Sequence, residues 1–237
     1  MRAVIFTNKD LDLSGLELKE VYLIFAKGVK GSITVSEMSE TIELAQSKLP
    51  LIKKAENIVE KLEKIYDVMG MSVVFKDYEE EIESVMDAYK PDLLIAGRSM
   101  PLTQNILSYD SAILFYREKI AFDRILYVHI ESGNVDAAKK WIAKGREVIV
   151  VGIVEPMLPP ETHAKRMKEC QERINKEISQ ITGNSIIKKS ILIGNLVEEV
   201  RRLVEELNPS LLILSKKAGI EKIREILEKV EKNVIFV

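Results

Sequence analysis

The sequence predicts an α/β protein made of two tandem doubly wound parallel-sheet units. Three observations carry that prediction. The chain contains an internal repeat, each half alternates short apolar runs with helical patterns, and the runs are continuously apolar, as strands buried on both faces of a parallel sheet must be. Residues 1–120 form the expected first domain and residues 121–237 the second.

The repeat emerges when Pro91 is placed over Pro209, an offset of 118 residues. Lys76–Ser99 then lies over Gly194–Lys217 without a gap. Leu93-Leu94-Ile95 meets Leu211-Leu212-Ile213, and Glu80 and Glu81 meet Glu198 and Glu199. Apolar positions coincide at Ile82/Val200, Val85/Leu203 and Met86/Val204. Upstream, Val73-Val74-Phe75 falls over Ile191-Leu192-Ile193. With small shifts, Arg2–Phe6 resembles Arg124–Val128 and Glu20–Ile24 resembles Glu147–Val151.

In the first half, strands are expected at Arg2–Phe6 and Glu20–Ile24. Only Lys9–Lys19 separates the two flanks, so the first crossover helix is short or absent. A long amphipathic pattern follows, in which Met38, Ile42, Ala45, Leu49, Ile52, Ala55, Val59, Leu62, Ile65 and Met69 step by three or four. Pro50 inside it removes an interior hydrogen bond and is expected to kink or split the helix. The third to fifth runs are Val73–Phe75, Leu93–Ile95 and Ala112–Tyr116, and the aperiodic stretch from Gly97 to Ser111 predicts an irregular last crossover.

In the second half, strands are expected at Arg124–His129, Glu147–Val154, Ile186–Ile193, Leu211–Leu214 and Asn233–Val237. Helical patterns cover Asp136–Ala143, Glu161–Ile181, Leu196–Leu207 and Gly219–Val230. Pro159 and Pro160 suit the start of the long helix, and Gly183-Asn184 its end. Strand–helix alternation with short loops implies parallel strands joined by right-handed crossovers.

Composition narrows the function classes. With 35 basic and 37 acidic residues the net charge is −2, which supplies no field for nucleic acid. The single cysteine, Cys170, allows neither an intrachain disulfide nor a cysteine-based metal cluster. His129 and His163 lie in different elements, which argues against a histidine metal site. No window approaches the roughly 18–20 apolar residues of a membrane span, and the first residues do not form a secretory leader. A cytoplasmic protein without membrane or nucleic-acid partners is expected, and its abundant Lys and Glu fit a thermophilic source. Phosphate-loop, dinucleotide-fingerprint and nucleophile-elbow motifs are missing.

In a doubly wound sheet, ligands sit beyond the carboxyl ends of the strands where the strand order reverses. In the first half that crevice collects Thr7, Asn8, Lys9 and Asp10 with Gly97, Arg98 and Ser99. In the second half it collects His129, Glu131 and Ser132 with Ser215, Lys216 and Lys217. Each has a structural alternative: Gly97 as a strand end, Arg98 as a loop charge, His129 as a buried hydrogen-bonded histidine, Lys216 and Lys217 as a solvated pair. The acidic clusters Glu79–Glu81 and Glu198-Glu199 suit helix N-termini, and Trp141 suits packing.

The order of runs, the long second crossover helix and the sequence Pro-Asp-Leu-Leu-Ile-Ala-Gly at Pro91–Gly97 resemble the universal stress protein family. The resemblance covers both halves and so points to a tandem member. It implies an adenine nucleotide alpha hydrolase-like fold, with a five-stranded parallel sheet in the order 3-2-1-4-5 and helices on both faces of each unit. The family's ATP-binding members carry spaced glycines after strand 4. Aligned from Gly97, those positions fall on Met100, Asp110 and Ser111, of which only Gly97 and Ser111 match. Ser215 replaces the first glycine in the second half. The family's adenine-contacting Asp at the end of strand 1 corresponds to Asn8 and to Ile130, with Asp10 and Glu131 close by. The implied cofactor-binding candidates are therefore Asn8, Asp10, Gly97, Arg98, Ser99 and Ser111 on degenerate loops, with ATP or AMP as the candidate ligand. No catalytic or metal-binding residue is implied.

Three functions remain open at this point: a non-enzymatic module binding a protein partner, a second copy or a small ligand through a tandem pseudo-dimer; a nucleotide sensor using the first-half residues; and a nucleotide-binding α/β enzyme with His129 as acid or base.

Overall fold

A computed structural model of the chain describes residues 1–26, 40–74, 78–97, 102–130, 135–156, 161–179 and 186–237. Its first half runs β1 (Arg2–Thr7), β2 (Glu20–Ala26), α1 (Glu40–Leu62), β3 (Asp67–Val74), α2 (Tyr78–Tyr89), β4 (Leu93–Ala96), α3 (Gln104–Ser108) and β5 (Ala112–Phe115). The second runs β6 (Arg124–Ile130), α4 (Val135–Ile142), β7 (Glu147–Val154), α5 (Glu161–Ile178), β8 (Ile186–Ile193), α6 (Leu196–Leu207), β9 (Leu211–Leu214), a 3-10 turn at Lys216–Ala218, α7 (Ile220–Lys229) and β10 (Asn233–Phe236). None of the described helices is long and apolar enough to cross a membrane.

The chain divides into two units, Met1–Asp12 with Leu16–Pro101, and Leu13–Gly15 with Leu102–Val237. In the first, β1 pairs in parallel with β2 and β4, and β2 pairs with β3, giving the order 3-2-1-4. In the second, β6 pairs in parallel with β7 and β9, β7 with β8, and β9 with β10, which is the expected order 3-2-1-4-5. β5 falls in the second unit, where it pairs antiparallel with β10 and sets Leu114 opposite Ile235.

Asn233, wholly buried at the start of β10, fastens that pairing. Its Oδ1 accepts from the backbone N–H groups of Arg117 (2.8 Å) and Glu118 (3.2 Å), and its Nδ2 donates to Glu118 O (3.0 Å). Arg224 Nη2 adds a bond to Leu102 O (2.7 Å).

The repeat is written in the geometry as well as in the residues. Leu93-Leu94-Ile95 lie beside Ala3-Val4-Ile5, and Leu211-Leu212-Ile213 lie beside Ile125-Leu126-Tyr127, in the same register. All six leucine and isoleucine side chains of the two triplets are fully buried. Lys90 and Asn208, paired by the sequence alignment, both take left-handed backbones (φ 47° and 43°) before their prolines. Asp92 N donates to Arg2 O, and Ser210 N donates to Arg124 O, each at 2.9 Å. Both helices before these turns are amphipathic, with Ile82, Val85 and Met86 buried in one and Val197, Val200 and Leu203 in the other. Asn195 caps α6, its Oδ1 accepting from Val197 N and Glu198 N.

Three first-half expectations change. The long helix ends at Leu62 rather than continuing through Met69, although apolar residues recur at helical spacing up to that point. Asp67 N donates to Lys19 O (3.0 Å), so β-pairing captures the segment, and Ile65 and Met69 are left exposed. The third strand is correspondingly longer than Val73–Phe75, and Phe75 lies outside the described residues. Pro50 does not split α1, which is one helix from Glu40 to Leu62. The last crossover holds a short helix, α3, whose Thr103 cap accepts from Ile106 N. No helix separates β1 from β2, as the short spacing predicts.

Candidate functional site

At the carboxyl ends of β1 and β4 the chain brings Asn8, Asp10 and Gly97 to one end of the first unit. Thr7 is buried and turns the chain there: its Oγ1 donates to Lys9 O (2.7 Å) and accepts from Lys9 N (3.1 Å). Gly97 N donates to Phe6 O (2.8 Å). A side chain at Gly97 would find Phe6 O at 3.4 Å and Thr7 Oγ1 at 3.5 Å, ordinary contacts, so no crowding demands glycine. Two of these positions bond to α1, Asn8 through its backbone carbonyl and Asp10 through its side chain. Lys54 Nζ donates to Asn8 O (2.9 Å), and Lys61 pairs with the Asp10 carboxylate. Arg98 and Ser99 lie outside the described residues, as do Glu131 and Ser132.

Ser111 lies in the second unit. It is buried, and its carbonyl, with that of Tyr109, accepts from Lys216 Nζ. Burial brings the Lys216 ammonium down to about 8, partly opposed by Asp110. Lys216 is therefore a structural clasp on the β5 segment, neither a solvated lysine nor a ligand group. Ser215 Oγ accepts from Lys217 N (3.3 Å) and caps the 3-10 turn.

His129 is wholly buried on β6. Its Nδ1 shares a hydrogen bond with Tyr127 Oη (3.2 Å), and its Nε2 has no partner among the described residues. Burial, reinforced by the positive charge of Arg173, lowers its pKa from 6.5 to about 4. It stands beside Gly152 of β7, whose missing side chain makes room for Cys170 and Ile174 of α5. Strand alternation turns His129 to the face opposite that of its neighbour Ile130. Burial thus holds the imidazole neutral and closed off from solvent.

A cleft of about 200 Å³ lies at the second unit's strand-order reversal, over the ends of β6 and β7 and the turn after β9. Ile130, Ile153 and Leu196 form its apolar wall, and Glu155, Arg166, Lys217 and Lys222 supply charge. Lys222 Nζ donates to both Glu155 carboxylate oxygens at 2.6 Å, and Arg166 Nη1 donates to Glu155 O at 3.1 Å. Sequence reasoning found Lys217 but missed Glu155, Arg166 and Lys222. Only Glu155 carried a signal, an acidic residue directly after a buried strand. The other two sit on helices α5 and α7 and look like ordinary solvated charges.

With this topology in view, the chain can be set beside known proteins. It superimposes on a universal stress protein from Archaeoglobus fulgidus with a TM-score of 0.59, at 11% identity, covering 99% of this chain and 95% of that one. The chain has the tandem universal stress protein fold. A protein of Pseudomonas aeruginosa described as being of the universal stress type superimposes similarly, with a TM-score of 0.60, 12% identity, and coverage of 99% and 92%. In sequence, an uncharacterized protein of Archaeoglobus fulgidus is 28% identical over all 237 residues and is covered to 94% of its own length. No protein-family model matches the chain. At 11–12% identity, the likeness to these structures is one of fold.

Proposed function

We propose that the chain is a non-enzymatic ligand- or partner-binding module whose two repeats act as a tandem pseudo-dimer. The observation that carries this reading is the antiparallel pairing of β5 with β10, because it joins the last strand of one repeat to the last strand of the other. The repeats themselves are taken as 1–120 and 121–237, the division of the internal similarity rather than of the packing. The side chains that would do chemistry support the non-enzymatic reading: His129 is buried and neutral, and Asp10 is held by Lys61. Single buried Cys170 suits a reducing, cytoplasmic setting.

The experiment is an ATP and AMP turnover assay with purified protein, alongside Gly97→Trp and Lys217→Gln. The expected result is no turnover above buffer. Hydrolysis that either substitution abolishes would overturn the non-enzymatic reading.

A nucleotide-sensing role of the first half is the second reading. It rests on the convergence of Asn8, Asp10 and Gly97 at one end of β1 and β4, and extends to Arg98 and Ser99 by sequence adjacency. Calorimetry with ATP, ADP and AMP tests it. Heat of binding that Gly97→Trp removes would support it, and no heat at millimolar nucleotide would exclude it.

A further inference from the structure

We propose that the second-half cleft is a site for a phosphate-sized dianion, free or as the monoester end of a small molecule without a nucleobase. The inference rests on the ligand-binding reading above and names the ligand's chemistry.

Charge selects the class. Three cationic side chains, Arg166, Lys217 and Lys222, meet one anionic side chain, Glu155, around a single cleft. The Lys217 ammonium has no partner among the described residues, whereas Lys222 and Arg166 both already donate to Glu155. The glutamate thus occupies part of the position that an anionic ligand would fill. Lys222 and Glu155 are each about two-fifths exposed, with side-chain exposures of 39% and 40%, so the pair can open without unpacking a core.

Shape selects the size. A volume of about 200 Å³ falls below the roughly 300 Å³ at which pockets for drug-sized molecules begin. The apolar wall is aliphatic, from Ile130, Ile153 and Leu196, and among the described residues that line the cleft there is no aromatic ring on which a base could stack. Valence separates phosphate from carboxylate. With Glu155 counted against Arg166, Lys217 and Lys222, the cleft carries a net charge of +2, which a phosphate dianion balances and a single carboxylate does not. The site differs in kind from a glycine-rich phosphate loop, since side-chain charge replaces converging backbone N–H groups, and Ser215 stands where that loop would begin.

The test is calorimetry and thermal unfolding of the full chain with inorganic phosphate, glycerol 3-phosphate and AMP, each against sodium chloride at matched ionic strength. Inorganic phosphate and glycerol 3-phosphate are expected to bind with similar affinity and to raise the unfolding midpoint. Lys217→Gln, at an exposed position that leaves folding intact, should weaken phosphate about tenfold, the loss of one charge-assisted bond. Glu155→Gln should strengthen it, because Lys222 is released from its internal partner. That opposite response separates a defined site from general surface charge. No binding of phosphate beyond the chloride control, or equal affinity in all three proteins, overturns the inference. AMP binding about tenfold or more tighter than inorganic phosphate overturns the exclusion of a base. ATP turnover would instead overturn the non-enzymatic reading, so the two failures are distinguishable.

Discussion

Replacing His129 by phenylalanine should flatten the acid side of the protein's stability profile. In the native protein the imidazole is wholly buried, faces the positive charge of Arg173, and is held neutral down to about pH 4. In the unfolded chain it takes up a proton near its ordinary value of 6.5. Above pH 6.5 both states are neutral at this residue, and it contributes no pH dependence. As the pH falls below 6.5, the unfolded state gains a proton that the native state refuses, so stability drops. The drop continues until the native histidine also protonates near pH 4. At about 1.4 kcal/mol per pH unit, the interval from 6.5 to about 4 amounts to roughly 3 kcal/mol. Carboxylates titrate over the lower part of this range too, but their contribution is common to wild type and variant and cancels in the difference. The assay is urea unfolding at pH 7.5, 6.5, 5.5 and 4.5, followed by fluorescence of Trp141. That residue is the only tryptophan and is fully buried in the second unit, so it reports the unit that holds His129. His129→Gln provides the same comparison if phenylalanine does not fold. Parallel stability curves for wild type and variant between pH 6.5 and 4.5 would refute the reasoning.

Further outcomes concern packing. Asn233→Ala should cost about 2–3 kcal/mol in urea unfolding, because the Arg117 and Glu118 N–H groups lose their acceptor. Gly152→Ala should destabilise by about 1–3 kcal/mol, since its Cβ would lie 2.6 Å from Cys170 Sγ and 2.9 Å from Ile174 Cδ1. By contrast, Gly97→Ala should change the unfolding midpoint little, by under about 1 kcal/mol, because its Cβ meets nothing closer than 3.4 Å. Removing the exposed Asp10–Lys61 pair with Lys61→Ala should likewise cost under about 1 kcal/mol, read from the same denaturation curves.

Much of the fold was legible in the residues. The Leu93 and Leu211 triplets announced central parallel strands because burial on both faces leaves no polar alternation. The prolines at 91 and 209 marked equivalent turns, and Lys90 and Asn208 before them adopt the same backbone. The site was less legible. Asn8 and Gly97 follow directly on the ends of β1 and β4, which the parallel pairing of those strands sets side by side. Ser111 falls in the second unit. Lys216, which reads in sequence as half of a solvated pair, is turned inward to two carbonyls.

The sequence by itself determined the repeat and the strand runs, because continuous burial leaves its mark on each run's own residues. Tertiary structure alone decided where α1 stops, since the pull of the β2 edge on Asp67 is invisible to helical periodicity. It alone decided that His129 is sealed within the second unit. It also decided the cationic cleft, whose Glu155 and Lys222 lie 67 residues apart and meet only because β7 ends and α7 begins on the same side of one sheet. A buried strand announces itself through its own residues, whereas a binding site is a coincidence of strand ends and helix faces that no single segment encodes.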